Sequence, residues 1–137
     1  MTATTVETGN FGHPVQTHFT ADEFAARQQL VREELARRDL DGLLVSRIED
    51  QYWLCGLDTT GYTIFHAMFI AADGALTHLS RSADLANVAY SSPCADVRLY
   101  DDVVGNTRSS NIKNLLASHG MKGKRVGIQL DSFGMLP

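Results

Sequence analysis

The sequence has no long apolar run, no large basic block and only two cysteines. Its longest purely apolar stretch, Ala67 to Ala72, is far too short to cross a bilayer, so no membrane span is expected. The densest basic patch, Lys122 to Arg125, stands in a chain of net charge −4, which argues against binding driven by nucleic-acid phosphates. Cys55 and Cys94 lie far apart in unlike contexts and read as reduced, buried thiols of a cytoplasmic protein. The amino terminus lacks the charged start and apolar core of a secretory leader. No Gly-x-Gly-x-x-Gly or phosphate-loop pattern occurs, which leaves nucleotide binding without support. What the chain does have is 137 residues, 44% of them hydrophobic, enough for one domain with a core.

Met1 to Phe19 shows little periodicity and reads as an extended or partly ordered arm. His13 and His18 sit there without ligand partners at metal spacing, and Pro14 breaks any helix across it. Thr20-Ala-Asp-Glu23 is a capping box, and the helix it starts should run to about Arg38, with Phe24, Val31 and Leu35, and Leu30 beside them, as its apolar stripe. Gly42 to Ser46 reads as a buried strand after a break at Asp41-Gly42. Gln51 to Asp58 is too apolar for a solvated loop and short for an independent helix, so a packed turn is expected, with Gly56 at positive φ. Tyr62 to Ala71 reads as a strand, Asp73-Gly74 as a hairpin turn, and Leu76 to Leu79 as its returning partner. A helix over Arg81 to Tyr90 capped by Ser80 or Ser82, a strand over Val97 to Tyr100, a helix from Asn106 or Thr107 to His119 stopped by Gly120, and a strand over Arg125 to Leu130 complete the chain. Strands interleaved with helices predict a layered α/β domain with a hairpin inside a mixed sheet.

The order of an amphipathic helix, the Leu40–Val45 strand Leu-Asp-Gly-Leu-Leu-Val, a polar linker and Tyr52–Asp58, Tyr-Trp-Leu-Cys-Gly-Leu-Asp, resembles the amino-terminal domain of the creatinase/prolidase/aminopeptidase P family. The family's run reads Asn-x-x-Tyr-Leu-Thr-Gly-Tyr. Leu54 and Gly56 match it, while Gln51, Trp53, Cys55 and Leu57 replace Asn, Tyr, Thr and the second aromatic. The resemblance extends from Thr20 to Asp131. It implies a three-layer α/β fold with a ribonuclease H-like motif, a mixed sheet of five or six strands flanked by helices. It also implies division into an arm over 1–19 and the domain over 20–137, with the catalytic carboxy-terminal domain absent. In such relatives that second domain holds a divalent metal (Mn, Co or Zn) on two Asp, one His and two Glu. The metal activates water for attack on an amide-type carbon. No cofactor is expected in this chain. Its acidic pairs, such as Asp101-Asp102, suit a loop cap better than a metal cage, because neighbouring residues point apart. A nucleophile built from Cys55 and His66 lacks any sign of a thiolate-stabilising pocket.

By the same resemblance, the amino-terminal domain of one subunit of a homodimer reaches over the active site of its mate. Carried over by position, the residues involved are Asp58, Tyr62, Ile64 and His66, with Trp53 at the edge and Arg81 at the start of the next helix. Creatinase-like members have an aromatic and an arginine here. Tyr62 stands for the aromatic, but Ile64 falls where the arginine would be. The plain alternatives are a core histidine at His66, core packing at Trp53 and a surface ion pair at Arg81. The expected function is therefore that of a non-catalytic domain of an Xaa-Pro peptidase or creatinase-like metallo-hydrolase. It would aid dimerisation and close the pocket on a small peptide or amidino/amide substrate. The competing expectation is a stand-alone α/β module that binds a small ligand or protein.

Overall fold

The structure, a computed structural model, describes residues 4–7 and 15–135. The expectations for His13 and Pro14 lie outside the described residues. Among the described residues six strands form one mixed sheet in the order β1-β5-β4-β3-β2-β6. They are β1 (Thr4–Glu7), β2 (Gly42–Val45), β3 (Ala67–Ala71), β4 (Leu76–Arg81), β5 (Asp96–Tyr100) and β6 (Val126–Ile128). β4 with β5 and β2 with β6 are parallel, and the other pairings are antiparallel. The helices are α1 (Ala21–Arg37), α2 (Ile48–Cys55), α3 (Leu85–Ser91) and α4 (Arg108–Ser118).

The period-2 geometry of the strands divides the core in two. On one face Leu44, Phe69, Leu79 and Tyr100 pack with Leu115 of α4. On the other, Val45, Met68 and Val97 pack with Leu54 and Cys55 of α2 and Val88 of α3, and Val31 of α1 lies against them. All five residues of β3 are buried, as a central strand covered on both sides requires.

The local signals at the helix ends behave as expected. Thr20 accepts from the Glu23 amide while the Glu23 carboxylate takes the Thr20 N–H at 2.8 Å. The Thr20 N–H and the Thr20 hydroxyl, both donating to that carboxylate, hold the Glu23 carboxyl below its usual range. Thr20→Ala should cost about 1 kcal/mol, read as a lower urea midpoint at unchanged slope. Thr107 and Ser110 make the corresponding box on α4, and Gly120 follows that helix at φ 67°.

Four expectations need correction. Gln51–Asp58 is not a turn: α2 runs through Cys55, and Gly56 caps it at φ 75° with its N–H on Tyr52 O at 2.8 Å. Eight residues are marginal for an isolated helix, but burial of Gln51, Leu54 and Cys55 against the sheet supports them. The strand expected from Tyr62 begins only at Ala67; the preceding residues turn, with Ile64 N–H on Gly61 O at 2.9 Å. The helix after β4 starts as a 3-10 turn, Ser82–Asp84, and no serine side chain caps it. Leu30 is exposed rather than part of the buried stripe.

Candidate functional site

Strand directions bring one set of chain segments to a common end of the sheet. β2, β4, β5 and β6 finish there and β3 starts there. This rim carries Tyr62 to His66, Arg81 to Asp84, Asp101 to Val104 and the segment after β6.

Its polar centre is Arg81. Nε donates to Asp84 Oδ2 at 2.8 Å, and Nη1 donates to Asp102 Oδ2 at 3.1 Å. These two carboxylates, Asp84 first, raise the arginine's already high pKa and keep it charged. Behind them lies His66, fully buried. Its Nδ1 is 3.2 Å from Ser80 Oγ, and its Nε2 is 3.9 Å from Asp84 Oδ2. Burial is the largest influence on this imidazole and holds its pKa below the ordinary value. Asp84 pulls the other way and Arg81 adds to the lowering. The His66 ring stacks on that of His78, with centroids 6.0 Å apart.

Further along the rim Tyr62 is exposed and meets Phe133 edge to face at 5.7 Å. The two rings border a cleft of about 300 Å³ that also touches the Arg47–Asp131 ion pair. Ile64 is half-buried beneath this turn.

The other two expected residues lie elsewhere. Trp53 is 40% exposed on α2, where its carbonyl takes Arg27 Nη1 at 3.2 Å and its ring lies 5.6 Å from that guanidinium. Core packing therefore does not describe it. Asp58 opens onto a separate cleft of about 400 Å³ with His18, Asn87 and Tyr90. The fold thus joins His66 with Arg81, sets Tyr62 on the same rim, and parts Trp53 and Asp58 from them. Asp84, which links His66 to Arg81, was missed. Its only sequence signal is the Arg–Asp spacing of three across a helix start.

Two other groupings invite a catalytic reading and fail on chemistry. Burial pushes the Cys55 thiol up to about 11, so it is not a ready thiolate. Thr77 Oγ1 donates to Asp96 Oδ2 at 2.6 Å, so the His119 Nε2 beside it at 2.8 Å must donate to that hydroxyl. That polarity staples β4, β5 and the end of α4 together and is the reverse of what nucleophile activation needs. Among the described residues no three His, Cys, Asp or Glu side chains converge as metal ligands would. The described donor set thus does not fit the divalent ion of the resemblance. Among the described residues no helix is long and apolar enough to cross a membrane.

A mixed sheet covered by α4 on one side and α1 to α3 on the other defines a three-layer α/β domain. Residues 27–136 match the Creatinase/Prolidase N-terminal domain model, and the chain belongs to that family. Solved structures share the fold. Dipeptidase PepE from Mycobacterium ulcerans superposes with a TM-score of 0.67 at 19% identity, over 87% of this chain and 34% of that one. A proline dipeptidase from Streptococcus pneumoniae gives 0.59 at 19% identity, over 77% and 74%. An Xaa-Pro aminopeptidase from Streptococcus pyogenes gives 0.57 at 15%, over 80% and 94%. The chain thus spans about a third of the M. ulcerans dipeptidase. No curated protein matches it.

Proposed function

We propose that this chain is the non-catalytic amino-terminal domain of a metal-dependent Xaa-Pro peptidase, and that its rim helps close the substrate pocket of a partner subunit in a cytoplasmic homodimer. The observation that carries this reading is the clamped arginine. Arg81 stands at the open end of the sheet, oriented by Asp84 and Asp102, in a domain of the creatinase/prolidase type. Asp84 and Asp102 hold three of the five guanidinium N–H groups, and the remaining two suit the carboxylate end of a proline-containing dipeptide, with the exposed Tyr62 further along the same rim. The divalent ion and its ligands belong, in this proposal, to polypeptide outside this chain.

The test uses the natural polypeptide that contains the domain. Arg81→Ala should raise KM for an Xaa-Pro dipeptide roughly tenfold, about 1.4 kcal/mol, with a smaller change in kcat and unchanged metal content. Unchanged kcat/KM would remove Arg81 from the pocket. Xaa-Pro dipeptide turnover by residues 1–137 alone, with Mn²⁺ or Co²⁺, would overturn the division of labour.

A further inference from the structure

The rim places one carboxylate oxygen between two cations, one permanent and one conditional. Asp84 Oδ2 takes Arg81 Nε at 2.8 Å and lies 3.9 Å from His66 Nε2. Asp84 Oδ1 takes Arg81 Nη2 at 3.3 Å. His66 Nε2 is buried and has no hydrogen-bond partner among the described residues. We propose that Asp84 is a proton-gated positioning residue: it holds Arg81 while His66 is neutral, and it turns to His66 and releases the Nε edge of Arg81 when that imidazole takes up a proton.

The charges around His66 favour this exchange. Arg81 with Asp84 and Asp102 forms a cluster carrying one more negative than positive charge. A proton on His66 balances it. Both ring nitrogens of the cation then have acceptors, Nδ1 at Ser80 Oγ and Nε2 at Asp84 Oδ2. Nε2 must close only about 1 Å to reach an ordinary charge-assisted bond, a small side-chain rotation. Asp102, 62% exposed on its side chain, remains to receive the freed arginine. The other polar groups packed around His66 do not compete. His78, stacked behind it, is fully buried, and neither of its ring nitrogens finds a partner among the described residues. From β5, the Tyr100 hydroxyl is committed to Phe65 O at 2.6 Å. From α2, the Gln51 amide donates to His66 O at 3.3 Å. Burial lowers the His66 pKa, so the exchange falls on the acid side of an ordinary histidine's titration.

The inference deepens the reading of Arg81 as a pocket residue. Its test reads the switch in this chain alone, so failure of the switch and failure of the pocket reading are separate results. The His66 ring and the Arg81 Nε–H proton are followed by NMR from pH 7.5 to 5. The Arg81 Hε signal, displaced downfield by the carboxylate bond, should move upfield toward the free-guanidinium value with the same midpoint as His66. Arg81→Gln should raise the His66 midpoint by about 0.5–1 unit, and Asp84→Asn should lower it by a similar amount. His66→Gln should leave the Arg81 signal flat across the range. An Arg81 signal that ignores the His66 titration overturns the proposal. So does unfolding of the domain before His66 gains its proton.

Discussion

Acidification from pH 6.5 to 5 should remove about 2 kcal/mol of stability through His78 alone, and His78→Leu should abolish that part of the loss. His78 lies in the middle of β4, fully buried against His66. Burial pushes its pKa down to about 3. In the unfolded chain the same imidazole titrates near 6.5. The folded state therefore keeps His78 neutral throughout a range in which the unfolded state takes up a proton. Stability from this group is whole above pH 6.5 and drains away as pH falls toward 3, at about 1.4 kcal/mol per unit. Burial also depresses His66 and His119, so a smaller slope should survive in the variant. Carboxylates do not confuse the reading above pH 5, because the lowered ones, Glu23, Glu34, Asp41 and Asp96, protonate below that range. At pH 7 the leucine should cost nothing and should stabilise, since it replaces two buried ring nitrogens that have no partner among the described residues. Urea titrations of both proteins at pH 7, 6 and 5 measure the difference. Parallel curves would show that His78 is not held neutral by the fold.

The parts of this molecule that were legible in the sequence are those set by neighbours in the chain. The Thr20–Glu23 box, Gly56 and Gly120 at positive φ, and the Asp73-Gly74 hairpin need only a few consecutive residues to act. The interleaving of strands and helices gave the layered α/β class for the same reason. The errors arise where partners are distant. α2 exists because the sheet gives Leu54 and Cys55 a surface to bury. Tyr62 to His66 has strand-like composition but turns, and its carbonyl at Phe65 is taken by the Tyr100 side chain rather than by a ladder. Thr4–Glu7, inside the stretch read as an extended or partly ordered arm, pairs with β5, a partner that no local signal names. The candidate site divides in the same way. Arg81 and Tyr62 could be named one by one, but strand order decided that Trp53 and Asp58 fall elsewhere. His66 reads as a polar interruption in an apolar run. Only the register of β3 on β4, with Met68 opposite His78, stacks the two imidazoles.

Gly42→Ala is expected to destabilise the domain by about 2–3 kcal/mol, although the backbone there is ordinary extended strand. In sequence, Asp41-Gly42 resembles a break. In the fold Gly42 opens β2, and a Cβ on it would lie 2.5 Å from Phe69 Cζ and 3.1 Å from Ile70 O. Glycine is there because the ring crosses over it. The ring has nowhere else to go, since Phe69 is fully buried and packs 5.0 Å from the His119 ring. The added methyl must push Phe69 into those neighbours or part β2 from β3, and either costs packing where these two strands meet. If the cost is this one collision, it can be relieved from the other side. Phe69→Leu alone should lose about 1–2 kcal/mol by leaving unfilled space. Combined with Gly42→Ala it should cost clearly less than the sum, because the methyl occupies room the ring has vacated. Gly127→Ala is the control. Its Cβ would meet Leu43 Cδ1 at 3.1 Å and Leu40 Cδ1 at 3.3 Å, the flexible ends of half-buried side chains, so a milder loss is expected. Strict additivity of Gly42→Ala and Phe69→Leu would mean that the glycine is required for some other reason. A coupling of 1 kcal/mol or more, about the scale seen for residues in direct contact, would tie β2 to β3 through this one ring.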